Sequence, residues 1–419
     1  MAFTTLAHHI DKDWLREAYR RTNKHGAAGI DGVTAQQYEQ NLERNLEDLL
    51  KRVKENTYRA SPVRRVHIPK GKGETRPLGI PTFEDKVLQR AAVMLLEPIY
   101  EQDFLDCSYG FRPGRSTRDA LRAFRDTLME MRGGWVLEVD ITKFYDTIDR
   151  ERLRDVIRQR VRDGVVIRLI GKWLHSGVLE GGCIMDPLTG TPQGGVISPL
   201  LANVFLHEVI DTWFERDIKP RLQGRGALVR YADDMAIVFE HETDAKRVKE
   251  ALGKRLQKYG LTMHPEKTRI VAFQRPEKDD DHDDHNNSGA SLASFEMLGF
   301  EHRWAQSRNG YWVVMLFTAP RRLQAAIQRI TGWCRTNRHL PVKEQWRMLV
   351  QKVRGHYGYY GVQGNSRATN IFNRLVYRVW RYWLNRRSQR ARMTWKKMRR
   401  LSERYPLPWP TTTWCARLA

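Results

Sequence analysis

Three aspartates carry the chemistry that this sequence can be expected to perform. Asp233 and Asp234 stand side by side in Arg-Tyr-Ala-Asp-Asp, with Val229 and Tyr231 before them and Met235, Ile237 and Phe239 after. Adjacent carboxylates at a hairpin tip repel each other, so the pair is costly unless a hard cation lies beside them. An isolated Asp-Asp is more readily a plain polar turn. The apolar arms set this one on a buried sheet, which favours metal binding. Asp140 ends the run Trp-Val-Leu-Glu-Val-Asp, and an aspartate closing a strand buried on both faces also needs a partner. If that strand pairs beside the hairpin, the carboxylates converge at one sheet edge. Two divalent ions held there, roughly 3.5–4 Å apart, can activate an attacking 3′-hydroxyl and stabilise a leaving pyrophosphate. Mg²⁺ suits the task because it accepts few carboxylates and keeps positions for water and phosphate oxygens; Mn²⁺ is a substitute. Asp146 and Asp149 read as helix-start carboxylates that favour the helix dipole, not as ligands.

A triphosphate needs positive charge opposite such ions. Lys70, Lys72 and Arg76 in VRRVHIPKGKGETRPLGIP supply it, Arg76 with a fork matched to phosphate oxygens. Thr191-Pro192-Gln193-Gly194-Gly195 is rich in exposed backbone N–H groups and suits a base pair or a phosphate. Each of these signals is weak alone; together, in this order, they are specific.

The elements that must position these residues can be sketched from periodicity. Residues 10–55 read as helices around a glycine-rich loop, HGAAGIDGVT, with Thr34 as an N-cap. Val63, Val66, Ile68, Leu78 and Ile80 flank Gly-Lys-Gly as a hairpin. A helix is expected from Glu84 to Leu96, stopping before Pro98. A buried strand opens Trp135–Asp149 and turns helical near Asp146. Residues 151–178 read as helical, Gly190–Gly195 as a tight loop, and Ser198-Pro199 as cap and first turn of a helix to Trp213. Ala227–Glu240 is two β arms around a two-residue turn. A helix at 244–258, a strand at 270–273, a charged low-complexity loop at 277–289 and two strands near 295–300 and 311–317 follow. That loop's Asp/His run is read as solvated rather than as a metal site. Beyond Pro320 the period is helical throughout. The fold expected is α+β with a helical appendage.

Charge separates the two parts. The net charge is +23, and from Arg321 to Arg404 there are 22 Lys/Arg against only Glu344 and Glu403. A nearly neutral body joined to a basic segment resembles a catalytic module with a polyanion grip; a merely solvated helical surface would carry acids as well. The candidate RNA contacts are Arg321, Arg322, Lys352, Arg354, Tyr357, Arg386, Arg387, Lys396 and Lys397. Trp333, Trp346, Tyr359, Tyr360, Trp380, Trp383 and Trp395 are interleaved with them and suit base stacking, although many fall on the apolar helical stripe and read as core. Cys107, Cys183, Cys334 and Cys415 form no C-x-x-C pair, which argues against a zinc knuckle or a disulfide framework. No apolar run reaches the roughly 20 residues of a membrane span and the start lacks a secretory signal. The expectation is an intracellular, cytoplasmic bacterial protein, open to association with the nucleoid.

GAAGIDGVT, IPKGKGETRPLGIPTFEDKVLQ, CSYGFRPGRS, LEVDITKFYDTID, GTPQGGVISPLLANVFLHEVID, RYADDMAIVF, HPEKT and MLGF occur in this order across most of the chain. With them the chain closely resembles the group II intron-encoded reverse transcriptases, the bacterial intron maturases. The resemblance implies a right-hand polymerase: an N-terminal extension and fingers over 1–130, a palm over 131–318 that includes fingers segments, a thumb or maturase segment over 319–365, and a basic nucleic-acid-binding region over 366–419. It implies RNA-directed DNA synthesis on a primed RNA template, with Asp140, Asp233 and Asp234 as metal ligands assisted by the Ile141 carbonyl. It further implies Lys70 and Arg76 on the dNTP triphosphate, Gln193 in the nucleotide pocket, and Phe144 as a steric gate against a 2′-hydroxyl, where the alternative is a core ring beside Tyr145. The parent intron RNA and a target DNA are implied partners, with maturase assistance to splicing. The ending SERYPLPWPTTTWCARLA has no paired cysteines of the endonuclease that many members carry, so second-strand cleavage is not expected. The short stretch before the GIDG loop leaves open an upstream piece. Two other readings stand beside this one: an RNA-binding splicing cofactor with a dispensable polymerase site, and a domesticated relative in phage defence, CRISPR adaptation or repair.

Overall fold

A computed structural model describes residues 1–71, 74–180, 183–185, 194–276, 293–307, 309–388 and 392–412. Lys72, the Gly190–Gln193 part of the expected tight loop, the charged loop at 277–289 and Cys415 lie outside them. The chain divides into two compact units, one of residues 1–120 and 136–270, the other of residues 121–135 and 271–419.

The first unit opens with α1 (Lys12–Arg21), α2 (Ala35–Glu39) and α3 (Leu42–Lys54). Asp11 caps α1 by accepting from the Trp14 N–H, and Thr34 with Gln37 forms a reciprocal capping box on α2. The fully buried Leu15, Leu46 and Leu49 supply the apolar faces. Strands β1 (Val63–Gly71) and β2 (Glu74–Ile80) pair antiparallel as the expected hairpin. Helix α4 (Phe83–Glu101) runs through Pro98, five residues past the stop read from the sequence. The proline removes one helical hydrogen bond, a cost of about 3 kcal/mol. Burial of Ile99 and Tyr100 in the next turn offsets it, at about 1.5–3 kcal/mol for a large apolar side chain.

Next come α5 (Thr117–Glu130), β3 (Gly133–Val139), α6 (Phe144–Thr147), α7 (Arg150–Arg158) and α8 (Gly164–Leu174). The region read as one helical stretch is broken at Asp163, whose carboxylate accepts from the Val165 and Val166 N–H groups to start α8. Strands β4 (Val178–Glu180) and β5 (Cys183–Met185) complete a sheet of order β2-β1-β4-β5. Helix α9 (Ser198–Leu206) has Ile197, not Ser198, at its N-cap, with no side-chain cap bond. It continues into π-helical turns at His207–Asp211 and Phe214–Ile218. Strands β6 (Gly226–Tyr231) and β7 (Asp234–Phe239), α10 (Glu242–Lys258) and β8 (Arg269–Gln274) follow. The sheet they build has the order β6-β7-β3-β8.

In the second unit β9 (Phe295–Met297), β10 (Phe300–Gln306) and β11 (Trp312–Thr318) make an antiparallel meander, where the sequence suggested only two strands. The reversal is a two-residue turn in which Leu298 (φ 51°) and Gly299 (φ 80°) are both left-handed. That is the geometry a tight hairpin needs, with a leucine at a position usually held by Asn, Asp or Gly. Helices α11 (Pro320–Thr336), α12 (Val342–Tyr360), α13 (Ser366–Asn385) and α14 (Trp395–Arg404) pack on Ile330, Leu349, Val353, Phe372, Val376 and Trp380. Among the described residues no helix is long and apolar enough to cross a membrane.

Candidate active site

The β6–β7 hairpin closes with Tyr231 opposite Asp234, leaving Ala232 and Asp233 as its two-residue turn. Val229, Met235, Ile237 and Phe239 are buried, so the strands are fixed while the tip stays accessible. Asp233 is half-buried and Asp234 exposed. Ala232 has φ +56°, a left-handed conformation that a side chain makes costly.

Strand β7 has β3 as its other neighbour, and Asp140 directly follows the end of β3. The backbone there is tied to the segment leading into β8. The His264 N–H donates to the Asp140 carbonyl (2.8 Å), Ile141 lies opposite Met263, and the Thr142 N–H donates to the Thr262 carbonyl (2.9 Å). An extended chain sends successive carbonyls to opposite edges. The Ile141 carbonyl is therefore directed away from residues 262–264, to the edge on which β7 lies. Tyr145, five residues beyond Asp140, reports the same proximity: burial pushes its phenol up to about 12, and the charge of Asp233 adds to the rise.

The Asp140 carboxylate is engaged by the Lys267 ammonium, with Nζ 3.0 Å from Oδ2. Its own N–H donates to Thr268 Oγ1 at 3.3 Å. Among the described residues no group of three or more His, Cys, Asp or Glu side chains stands within metal-holding reach. The structure thus sets the strands carrying the three aspartates side by side without closing their carboxylates into one cluster. The donors expected from the sequence, three carboxylates and one backbone carbonyl, are all oxygen, and such a set would suit a hard divalent cation better than zinc or a soft metal.

Asp149 is the N-cap of α7, accepting from the Glu151 and Arg152 N–H groups, and Asp146 lies in the first turn of α6. Both have the helix-start roles expected of them. Phe144 is only 2% exposed and meets Tyr145 edge-on, ring centroids 5.2 Å apart. Arg76 lies on β2 opposite Ile68 and is exposed. Lys70 belongs to β1, but its side chain, like Gln193, lies outside the described residues.

In the second unit the candidate RNA contacts differ among themselves. Arg321 and Arg322 both pair with Glu296. Lys352 lies over the Trp333 ring (5.6 Å) and Arg386 over Tyr382 (4.8 Å). Arg387 donates to the His339 and Leu340 carbonyls, while Arg354, Lys396 and Lys397 are exposed. Tyr357 corrects the reading. It is 2% exposed, packed in the helical core with its hydroxyl accepting from Asn373, and cannot stack on a base. Trp380 is likewise fully buried and donates to Gln345, whereas Trp395 is half exposed.

Three features escaped the sequence reading. Lys267 has a local signal, its place in HPEKT. Gly110 touches the carboxylate hairpin, with no room for a Cβ against the Tyr231–Ala232 peptide. Arg230 is fully buried beside the turn, and its signal is a charge at an apolar strand position.

The family described as reverse transcriptase (RNA-dependent DNA polymerase) matches residues 68–302 of the chain. Protein YkfC of Escherichia coli (strain K12) is 36% identical over 259 residues, covering 54% of this chain and 68% of that protein. The group II intron-encoded protein LtrA of Lactococcus lactis subsp. cremoris is 39% identical over 209 residues, 49% of this chain and 35% of that one. The mitochondrial nuclear intron maturase 1 of Arabidopsis thaliana is 30% identical over 124 residues, 28% of this chain and 17% of that one. The chain therefore spans about a third or less of the two intron-associated proteins it matches here.

Proposed function

The chain belongs to the reverse transcriptase family, the RNA-dependent DNA polymerases, and from that premise we propose that it is a group II intron-encoded reverse transcriptase and maturase whose polymerase site is built on Asp140, Asp233 and Asp234. The observation that carries this reading is the adjacency of β3 and β7 within the matched region. Asp140 follows one strand, Asp234 begins the other and Asp233 lies in the turn just before it, with the Ile141 carbonyl directed to the shared edge.

Two Mg²⁺ ions, with Mn²⁺ as a substitute, would supply activation of the primer 3′-hydroxyl and stabilisation of the departing pyrophosphate. The chain's own part is to hold and orient. Asp233 and Asp234 present carboxylates from a turn fixed on a buried hairpin. Asp140 exchanges its Lys267 partner for this role, which is inexpensive because an exposed ion pair contributes only about 0–1 kcal/mol. Lys70 and Arg76 meet the triphosphate and Gln193 lines the nucleotide pocket, while Phe144, 2% exposed and packed edge-on against Tyr145, fits the core-ring alternative better than a gate touching the sugar. In right-hand terms, residues 1–130 would provide the N-terminal extension and fingers, 131–318 the palm, 319–365 the thumb and 366–419 the basic grip. Lys396 and Lys397 are among the exposed cations of that grip, and Arg354 is an exposed cation of the thumb segment. Primed RNA template, parent intron RNA and target DNA are the partners, alongside dNTPs.

The test is primer extension on an RNA template with Mg²⁺ and dNTPs. Wild type extends the primer and Asp233→Ala does not; activity retained in the variant would defeat the polymerase site proposed here. The maturase part is separable. Asp233→Ala protein that still promotes splicing of the parent intron supports it, and wild-type protein with no effect on splicing removes it.

A further inference from the structure

Arg230 lies on β6, two residues before Ala232, and is wholly excluded from solvent. A guanidinium has five N–H donors, and every one of them is used. Nε donates to Asp211 Oδ1 (2.7 Å) and Nη2 to Asp211 Oδ2 (2.5 Å) and Ser108 Oγ (2.7 Å). Nη1 donates to Asn203 Oδ1 (3.0 Å) and to the carbonyl of Ala232 (3.0 Å). Burial alone would drive the arginine's pKa down; the Asp211 carboxylate overcomes it and the net shift is upward.

Four segments meet on this side chain. Cys107–Gly110 runs beside β6, with the Arg230 N–H donating to the Cys107 carbonyl and the Tyr109 N–H to the Arg230 carbonyl. Asn203 on α9 also donates to the Gly110 carbonyl at 2.6 Å. Asp211 ends the π-helical turn His207–Asp211, an irregularity frequent at functional sites. The fourth is the hairpin turn itself. The Ala232 carbonyl belongs to the peptide from which Asp233 hangs, so fixing it fixes the plane of that peptide.

Stability does not explain the arrangement. A buried ion pair can usually be replaced by well-packed apolar residues with little loss, because desolvation cancels most of its attraction. An apolar pair, however, cannot donate to the Ala232 carbonyl or hold a left-handed alanine in place. We propose that Arg230, locked by Asp211, is the positioning residue for the Asp233–Asp234 tip, holding Ala232 in its left-handed turn so that both carboxylates are presented in a metal-ready geometry. This rests on reading Asp233 and Asp234 as metal ligands.

The experiment titrates Mn²⁺ into the full chain without nucleotide, following free Mn²⁺ by electron paramagnetic resonance, for wild type, Arg230→Lys, Ser108→Ala and Asp233→Asn. Hydrogen exchange of the peptide covering 228–236 and thermal melting are measured in parallel. Removing a residue that orients a metal ligand typically weakens metal binding about 10–100-fold. Arg230→Lys keeps the charge but loses the fork, and is expected to raise the apparent Mn²⁺ dissociation constant about tenfold and speed exchange at the turn. Adding Ala232→Gly, which adopts positive φ freely, is expected to recover part of that loss; a purely structural arginine would give no such rescue. Should Arg230→Lys not fold, Ser108→Ala, which deletes one acceptor and keeps the ion pair, decides the matter through a smaller shift in the same direction. Folded variants with wild-type Mn²⁺ affinity and turn exchange overturn the inference. If Asp233→Asn itself binds Mn²⁺ like wild type, the metal-ligand reading fails instead.

Discussion

Gly110 offers a sharp test of how closely the carboxylate hairpin is positioned. A Cβ built on this glycine would lie 2.9 Å from the Tyr231 carbonyl carbon and nearer still to the Ala232 nitrogen. Unstrained carbon contacts begin at about 3.5 Å, so Gly110→Ala must open the junction by roughly 0.6–1 Å. The obstacle is backbone, which cannot rotate aside as a side chain would. The displaced peptide, Tyr231–Ala232, is the one immediately before the peptide from which Asp233 hangs. A misplacement of about 1 Å in a catalytic array costs on the order of 100-fold in rate. Single-turnover primer extension should therefore show Gly110→Ala slower by about two orders of magnitude, with a loss of about 1–3 kcal/mol of stability from the forced contact and little change in the KM for dNTP. Gly114→Ala is the control. Gly114 has φ +70° with nothing within 4 Å of the added carbon, so alanine there costs about 1–2 kcal/mol of stability and leaves catalysis untouched. A folded Gly110→Ala enzyme within about threefold of wild type would refute the reasoning.

Other perturbations reach different parts of the molecule. His302 is fully buried, stacked on Phe295 at 4.9 Å, and burial lowers its pKa to about 3. Because the folded value lies below the unfolded ~6.5, stability is full above pH 6.5 and declines as pH falls toward 3. Urea melts at pH 7 and pH 5 should differ by about 2 kcal/mol from this group, a difference that His302→Phe removes. Asp149→Ala should cost about 1 kcal/mol as the loss of an N-cap, without changing the Mg²⁺ dependence of extension; a shifted Mg²⁺ requirement would make Asp149 a ligand after all. If Lys396 and Lys397 bind single-stranded RNA, replacing both with Ala should flatten the salt dependence of RNA binding by about 0.7 for each phosphate no longer neutralised, and an unchanged slope would remove them from the grip.

Much of the frame is legible in the sequence because period-two alternation and caps are local signals. The hairpin that carries Asp233 and Asp234, the strand ending at Asp140, the cap at Thr34 and the helix-start role of Asp149 all follow from residues a few positions apart, although the turn itself falls one residue earlier than the Asp-Asp pair, on Ala232-Asp233. What stays hidden depends on partners far along the chain. Arg230 reads as a misplaced charge on an apolar strand until Ser108, Asn203 and Asp211 are brought around it, and no local pattern announces the π-helical turn that delivers Asp211. Strand β10 merges with its neighbour in the sequence pattern because Leu298 gives no hint of a left-handed turn. Pro98 looks like a helix stop because propensity carries no knowledge of the burial of Ile99 and Tyr100. The same limit affects the candidate contacts of the C-terminal unit: an aromatic ring at helical spacing can face either core or solvent, and only packing distinguishes Tyr357 from Trp395.

The most direct measurement is anomalous scattering from crystals of the protein with primed RNA template, an incoming dNTP and Mn²⁺. Two peaks about 3.5–4 Å apart, bounded by Asp140, Asp233 and Asp234 with the Ile141 carbonyl beside one of them, are expected. Peaks elsewhere, or an Asp140 that stays on Lys267 while nucleotide is bound, would contradict the account.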